Sequence, residues 1–409
     1  MLWKGCSLFC PKILFLQASA NYLFEFMLVS YSLFSITLLC CYLIVIFCYI
    51  YYWNQVAYWE LPEHYQATTN ITVVIAARNE EQTIEACLEA VLAQKYPTNL
   101  LEIYVINDHS TDQTAALIEK YQQQHPHLHL LSLTGKNQGK KAALAAGIQA
   151  SSHPLIVTTD ADCTMGEHWL AYISSYYEEH QPKFIAAPVQ FHQEKSLLEY
   201  FQSLDFMGMM AISAAGIKGH FMGLCNGANL AYERQAFEEV KGFEGIDHLP
   251  SGDDMLLLQK IQAQYPQQIA YLKNEEASTF TKAKTTFADF LQQRLRWASK
   301  SSAYKGWQVW FMMGIVWVLS LNILLDLLLG IWHPFFLFWW LMKFTLKSMS
   351  DFFFLAMMAS FFERPKLMKY FPVAVFMHWF YIIIVGTLGL FKRRIEWKGR
   401  FFYNQSSKK

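Results

Sequence analysis

The chain has 409 residues, 54% of them hydrophobic and 16% aromatic, with only 16% charged. That charged share is well below the roughly 25% of soluble domains, so part of the chain belongs in lipid. The 33 basic side chains balance 33 acidic ones, which leaves no excess for a nucleic-acid partner.

In chain order, the first 26 residues read as an upstream extension, with Met27 as a natural start. Residues 26–59 contain no charge and exceed the about 20 residues that span a bilayer core. The run is too long for the apolar part of a signal peptide, and no small-residue cleavage site follows. Residues 1–59 are therefore expected to be a retained N-terminal anchor, and residues 60–300 a polar domain on the cytoplasmic face. Of eight cysteines, Cys6, Cys10, Cys40, Cys41 and Cys48 lie in the anchor region, while Cys87, Cys163 and Cys225 are scattered. No C-x-x-C pair occurs, so neither a zinc site nor a disulfide framework is expected, and the thiols read as reduced.

The domain alternates strand and helix patterns. "ITVVIAA" (71–77) is a β-branched run, followed by a helical period at Ile84, Leu88, Val91 and Leu92. "LEIYVIND" (101–108) reads as a second strand, and "STDQTAALIEKYQQQ" as a helix opened by a Ser/Thr/Asp cap. "LHLLSLT" (128–134), "GKKAALAAGIQAS" (139–151) and "PLIVTTDAD" (154–162) continue as strand, helix and strand. This alternation predicts an α/β fold with a mostly parallel sheet flanked by helices. Ligands in such sheets bind outside the carboxyl ends of the strands. Arg78, Asn79, Glu80, Asp108, Asp160 and Asp162 all fall there.

Apolar runs return from Trp307. Residues 307–332 carry one charge, Asp326, and residues 370–391 carry none. Between them Lys343, Lys347 and Asp351 are spaced four apart on one helical face. Charges facing lipid cost about 2.5–3.5 kcal/mol each at the bilayer centre, so this stripe is expected to face protein, water or headgroups. Residues 301–391 are read as membrane or interfacial helices and 392–409 as a basic tail. Lys300, Lys305, Arg364, Lys366, Lys369 and "KRRIEWKGR" (392–400) each ask for the cytoplasmic side. Three full crossings cannot satisfy all of them, so one C-terminal segment is expected to be interfacial or re-entrant.

Alone, Asp160 and Asp162 read as a turn or cap. The reading changes because Asp108, Lys140 and the pair Asp253–Asp254 share the same rim. Hard oxygen ligands of this kind suit Mg²⁺ or Mn²⁺ with a diphosphate, and a cation would relieve the repulsion between them. In "FADFLQQRLRWASK" (287–300), Phe287, Phe290, Leu291, Leu295 and Ala298 form an apolar stripe. Gln293, Arg296 and Trp297 lie opposite it. "HPHLH" (125–129) lacks metal-ligand spacing, the methionines of 206–216 read as packing, and the glycine-rich 216–230 is misplaced for a dinucleotide loop.

"VVIAARNEE", "INDHSTDQT", "GKKAAL", "TTDAD", "GANLAYERQAFEEVKGFEG", "GDD" and "QRLRW", in this order, resemble the family 2 glycosyltransferases. These are inverting, nucleotide-sugar enzymes with the GT-A fold. Together with the flanking apolar helices, the resemblance is nearest to hyaluronan, cellulose and poly-N-acetylglucosamine synthases and ceramide glucosyltransferases. It implies a UDP-sugar donor, with Asp108 at the uracil or ribose and Glu80 and Lys140 nearby. Asp160 and Asp162 would form the Mg²⁺ or Mn²⁺ site, and Asp254 the base. Asp253 stands where the family usually has Glu. Arg296 would hold phosphate and Trp297 a sugar ring, with Arg294 and Asn226 as further candidates. The acceptor is expected to be a lipid or a lipid-linked glycan, since the few C-terminal segments line a channel poorly, with a growing polysaccharide as the alternative. The competing readings are a processive polysaccharide synthase, a non-catalytic membrane scaffold and a nucleotidyltransferase.

Overall fold

The computed structural model describes residues 11–391 except 136, 222, 248, 250, 251 and 299–305, together with 394–397 and 400–403. Cys6, Cys10, Lys300, Lys305 and the remainder of the basic tail lie outside the described residues. A long helix α1 (Pro11–Gln55) precedes β1 (Ile71–Ala77), α2 (Ile84–Leu92), β2 (Leu101–Asn107), α3 (Thr114–Gln122) and β3 (Leu128–Ser132). Next come α4 (Lys140–Ala150), β4 (Leu155–Asp160), β5 (Thr164–Met165), α5 (Trp169–His180), β6 (Phe184–Ala186) and β7 (Val189–His192). The domain closes with α6 (Leu197–Lys218), β8 (Leu230–Glu233), α7 (Arg234–Glu239), α8 (Met255–Gln264), β9 (Ile269–Tyr271), β10 (Thr279–Lys282) and α9 (Phe287–Ala298).

Seven strands form one sheet in the order β3-β2-β1-β4-β8-β6-β9. The first four are parallel, and β8 enters antiparallel between β4 and β6. β1 is almost wholly buried, as expected where helices cover both faces of a sheet. Register aligns Ala77 with Asn107, and Ala76 with Asp160. The residues following three strands therefore emerge along one rim. α4 lies close to the sheet because Gly147 has no side chain: a Cβ there would stand 2.6 Å from Ile106 Cδ1 and Val74 Cγ1.

Two details differ from the sequence-based expectation. β2 and β3 end one and two residues early, where the chain turns away from the sheet. The expected Ser/Thr/Asp cap of α3 is Asp112, whose Oδ1 accepts from Thr114 N at 3.0 Å and from its hydroxyl at 2.6 Å; it acts from one residue further out, since Gln113, directly before the helix, offers no side-chain bond.

Among the described residues, three helical stretches are long and apolar enough to cross a membrane: Asn21–Gln55, Trp307–Leu329 and Pro365–Gly389. The last two correspond to α10 (Trp307–Leu329) and, after a short 3-10 turn, α12 (Phe371–Phe391). Between them α11 (Pro334–Phe361) holds the charged stripe, and β11 (Arg394–Trp397) pairs with β12 (Arg400–Tyr403). The stripe faces protein. Lys343 pairs with Asp326 of α10, both with fully buried side chains, and Lys343 also donates to Ser35 of α1 at 3.2 Å and to Asn322. The Tyr31 hydroxyl donates to Asp326 and that of Tyr42 to Asp351, which pairs with Lys347. These bonds lock α1, α10 and α11 together, because an unmatched charge cannot be left in lipid.

Lys343→Met should destabilise the chain by about 3–5 kcal/mol, since it strands the Asp326 carboxylate. The double variant Lys343→Met/Asp326→Leu should recover most of that loss. Thermal unfolding in detergent checks both; equal loss in the single and double variants would mean the pair does not hold the helices.

Candidate active site

The rim starts at two tight turns. Asn79 after β1 and His109 after β2 both adopt positive φ, 51° and 57°, a conformation that side-chain-bearing residues take only under local constraint. The constraint is visible. Arg78 Nη1 donates to the carbonyls of Asp108 (2.8 Å) and His109 (3.1 Å), and Asn79 Oδ1 accepts from Thr111 N at 2.9 Å. Glu80 N donates to Thr114 Oγ1 at 2.8 Å, and the Glu80 carboxylate accepts from Thr83 Oγ1 at 3.0 Å. Asp108 is 1% exposed; its Oδ2 accepts from Gly139 N at 3.0 Å and its Oδ1 lies 3.1 Å from His109 Nδ1.

Lys140, the first residue of α4, is the hinge of the charge arrangement. Its Nζ lies 2.6 Å from Asp160 Oδ1 and 2.7 Å from Asp253 Oδ2. Burial works against the ammonium, but Asp160 and Asp253 hold its pKa well above the usual lysine value. The sign follows: this stabilisation is complete below the ordinary lysine pKa and fades only as alkaline pH passes the raised one. Asp162 is exposed, two residues beyond Asp160. Asp254 sits at the N-terminus of α8, where its Oδ1 accepts from Met255 N at 2.7 Å.

α9 brings the last group. Burial pushes the Arg296 guanidinium below its ordinary pKa, while the charges of Asp253, Asp160, Asp254 and Asp162 act in the opposite sense. Arg296 thus sits among four carboxylates. Gln293 Oε1 is buried without a hydrogen-bond partner. Trp297 packs on Phe206 with ring centroids 6.0 Å apart, and the Arg294 guanidinium lies 4.4 Å from its ring centre. The expected stripe on α9 is corrected here: Phe287 is 57% exposed, and the buried residues are Phe290, Arg294 and Leu295. Arg294 goes inward because Asp205 of α6 meets it at 3.0 Å and three aromatic rings surround it. Its burial departs from the usual solvation of arginine.

Glu80, Asp108, Lys140, Asp160, Asp162, Asp253, Asp254, Gln293, Arg296 and Trp297 all line one cavity of about 610 Å³. Asn226 and Arg294 line it too. Among the described residues no group of three or more His, Cys, Asp or Glu side chains is arranged to hold a metal by itself. Sequence reasoning missed Gly227, Asp205 and His378 on the same wall. Asp205 and His378 were detectable as lone polar residues in apolar helical runs. Gly227 was not, because its role is a close approach. A Cβ there would stand 2.9 Å from Asp253 Oδ2 and 3.0 Å from Lys140 Nζ.

Residues 72–241 match the family model described as Glycosyl transferase family 2. The chain carries a family 2 glycosyltransferase domain. Glycosyltransferase AglE of Haloferax volcanii is 32% identical over 100 residues, 24% of this chain and 33% of that protein. Poly-beta-1,6-N-acetyl-D-glucosamine synthase of Staphylococcus epidermidis is 24% identical over 241 residues, 58% of this chain and 56% of that one. The chain thus spans between a third and just over half the length of these relatives. The glycosyltransferase fold is also that of the mannosyltransferase PcManGT from Pyrobaculum calidifontis, solved in complex with GDP-Man and Mn²⁺. It has a TM-score of 0.51 and 18% identity, covering 78% of this chain and 96% of that one. The sheet and rim described above are accordingly the GT-A fold, bounded here by candidate membrane helices.

Gly227→Ala should push the Lys140–Asp253 bridge apart while leaving the sheet intact. Nucleotide-sugar turnover is expected to fall about tenfold, on the order of 1.4 kcal/mol, with an unchanged melting temperature. Wild-type turnover in this variant would show that the bridge is not needed.

Proposed function

We propose that the chain is a membrane-bound inverting glycosyltransferase. It moves a sugar from a UDP-sugar to a lipid or lipid-linked glycan at the cytoplasmic face of the cell membrane. The observation that carries this reading is the single cavity that joins the strand-end carboxylates to the apolar helices. A soluble acceptor would not need the second half of that space.

Asp160 and Asp162 fit a hard divalent cation, Mg²⁺ or Mn²⁺. They offer two carboxylates at a strand end, and such ions are commonly held by one or two carboxylates plus substrate phosphates. The bound Mn²⁺ of PcManGT lends support through fold alone. When bound, the ion would offset charge that develops on the leaving diphosphate.

The chain's own residues perform the remaining steps. Asp108 and Glu80 position the nucleoside at the ends of β2 and β1. Lys140 and Arg296 offer positive charge toward the phosphates. Asp254 accepts the proton from the acceptor hydroxyl as its oxygen attacks the anomeric carbon from the face opposite the nucleotide. One bond forms between that oxygen and C1, and the C1–phosphate oxygen bond breaks. UDP leaves with the electron pair, and the configuration inverts. Asp253 holds Lys140 at 2.7 Å and stands beside the donor site as a further substrate contact.

A processive synthase is the second reading, favoured by the Staphylococcus epidermidis relative. The membrane path bears on both. Arg364, between α11 and α12, donates to Phe191 O at 2.6 Å and meets Glu194 at 2.8 Å, so that connection lies on the domain's side. The far end of α12 returns to α9: a Cβ at Gly389 would stand 3.1 Å from Ala298 Cβ. We read α12 as lying along the underside of the domain, which leaves the basic tail cytoplasmic as the positive-inside rule requires.

Purified full-length chain with Mn²⁺ and a panel of UDP-sugars should release UDP from one of them. Asp254→Asn should slow transfer by at least 100-fold with near-normal donor affinity, and Asp162→Ala should weaken metal-dependent donor binding. No release from any donor, with no effect of Asp254→Asn, would favour a non-catalytic scaffold; pyrophosphate as product would indicate a nucleotidyltransferase. Mass analysis of the lipid fraction and of any polymer separates the two acceptor readings.

A further inference from the structure

The cavity holds a second polar group besides the strand-end carboxylates. Asp205 of α6 and His378 of α12 both line it, with His378 Nε2 3.9 Å from Asp205 Oδ1. Asp205 Oδ2 is buried and lacks a hydrogen bond of good geometry, although Arg294 stands behind it at 3.0 Å. The Arg294 side chain is completely covered, whereas 27% of the His378 side chain is exposed. Asp205 and His378 therefore present to the cavity, and Arg294 serves as the counter-ion behind them.

The charges around this group cancel. His378 lies in the field of Lys347, Asp205, Asp351 and Arg294, which are two cations and two anions, already matched as Arg294–Asp205 and Lys347–Asp351. An anionic headgroup placed against Asp205 would meet its carboxylate, with the cations around His378 already matched; Lys282 and Lys284 also line the cavity, and the decyl phosphate arm of the test below reads whether they reach this point. A hydroxyl can donate to Asp205 and exchange a hydrogen bond with His378. Aromatic rings stand alongside: Tyr381 lies 6.0 Å from His378 and 5.5 Å from Phe290, a surface suited to a sugar or polyol ring. Beyond them the wall is apolar, with Val309, Met312 and Val316 of α10 and Val385 of α12. Met313 lines the same wall and is 43% exposed on the flank of α10, which gives an apolar chain a way in from the bilayer.

We propose that Asp205 and His378 form a subsite for the neutral, hydroxyl-bearing headgroup of an amphiphilic acceptor whose apolar chain lies between α10 and α12. This deepens the transferase reading and rests on it for the acceptor's role, but binding at the subsite can be measured without any transfer. The subsite selects hydroxyls over phosphate by charge, and amphiphiles over free glycans by the apolar wall.

The test uses the full chain in phosphatidylcholine nanodiscs with three probes: decyl β-D-glucoside, decyl phosphate and maltotetraose. Saturable binding is expected for the glucoside alone. His378→Phe should weaken it about tenfold, the scale of losing one buried hydrogen bond, while His378→Gln, which keeps a polar contact, should stay within about threefold of wild type. Val316→Trp, which narrows the apolar arm, should also weaken it. Equal or tighter binding of decyl phosphate would overturn the neutral headgroup. Equal binding of maltotetraose would overturn the apolar arm and favour a polysaccharide. Indistinguishable affinities for the Phe and Gln variants would overturn the His378 contact. UDP retention with Mn²⁺ is read on the same preparations. Loss of that signal with glucoside binding intact would sink the transferase reading and leave the subsite standing.

Discussion

Like charges gathered at the ends of parallel strands are the constraint around which this molecule is arranged. Asp108, Asp160, Asp162, Asp253 and Asp254 come from distant parts of the sequence and line one cavity. Such carboxylates repel, and the chain answers with Lys140, which spans Asp160 and Asp253, and Arg296 beside them. Several features follow from holding these groups in place. Arg78 ties the β1 and β2 turns together, Gly139 anchors Asp108, and Gly227 leaves room for the lysine bridge. Asp162, two residues beyond Asp160, is exposed at the same rim. A hard cation arriving with a diphosphate fits that residue.

The membrane side solves the opposite problem. There, the charges of α10 and α11 are few and are matched inside the helix bundle. Lys343 with Asp326 joins α11 to α10, Lys347 with Asp351 pairs within α11, and the tyrosines of α1 complete the set. Arg294 with Asp205 carries the same logic to the junction between domain and helices. The junction is therefore polar at defined points and apolar elsewhere, a pattern that suits an amphiphile better than water or a free ion. In the proposed reaction this lets donor and acceptor reach one cavity from different phases.

Much of this was legible beforehand, for physical reasons. Buried parallel strands leave long β-branched runs, so 71–77 was read with its observed bounds, and the carboxylates at strand ends were recognisable because loops there carry ligands. The antiparallel β8 was not read: a strand of four residues carries too little pattern. The stripe at Lys343, Lys347 and Asp351 was correctly expected to avoid lipid, but its partners lie on other helices and only tertiary packing brings them together. Arg294 shows the limit most clearly. Helical periodicity put apolar Phe287 inside, whereas a single ion pair with Asp205, reinforced by aromatic rings, reversed the two positions. Gly227 left no trace in the pattern, since the absence of a side chain matters only once Lys140 and Asp253 approach.

The central claim is that the strand-end carboxylates form only part of a cation's shell and that a diphosphate supplies the rest. Electron paramagnetic resonance during Mn²⁺ titration of the full chain, with and without UDP, tests it directly. Weak binding alone and at least tenfold tighter binding with UDP are predicted, with the gain lost when Asp160 and Asp162 are both changed to Ala. Tight Mn²⁺ binding that is indifferent to UDP, or a UDP-dependent gain that survives the double change, would contradict it.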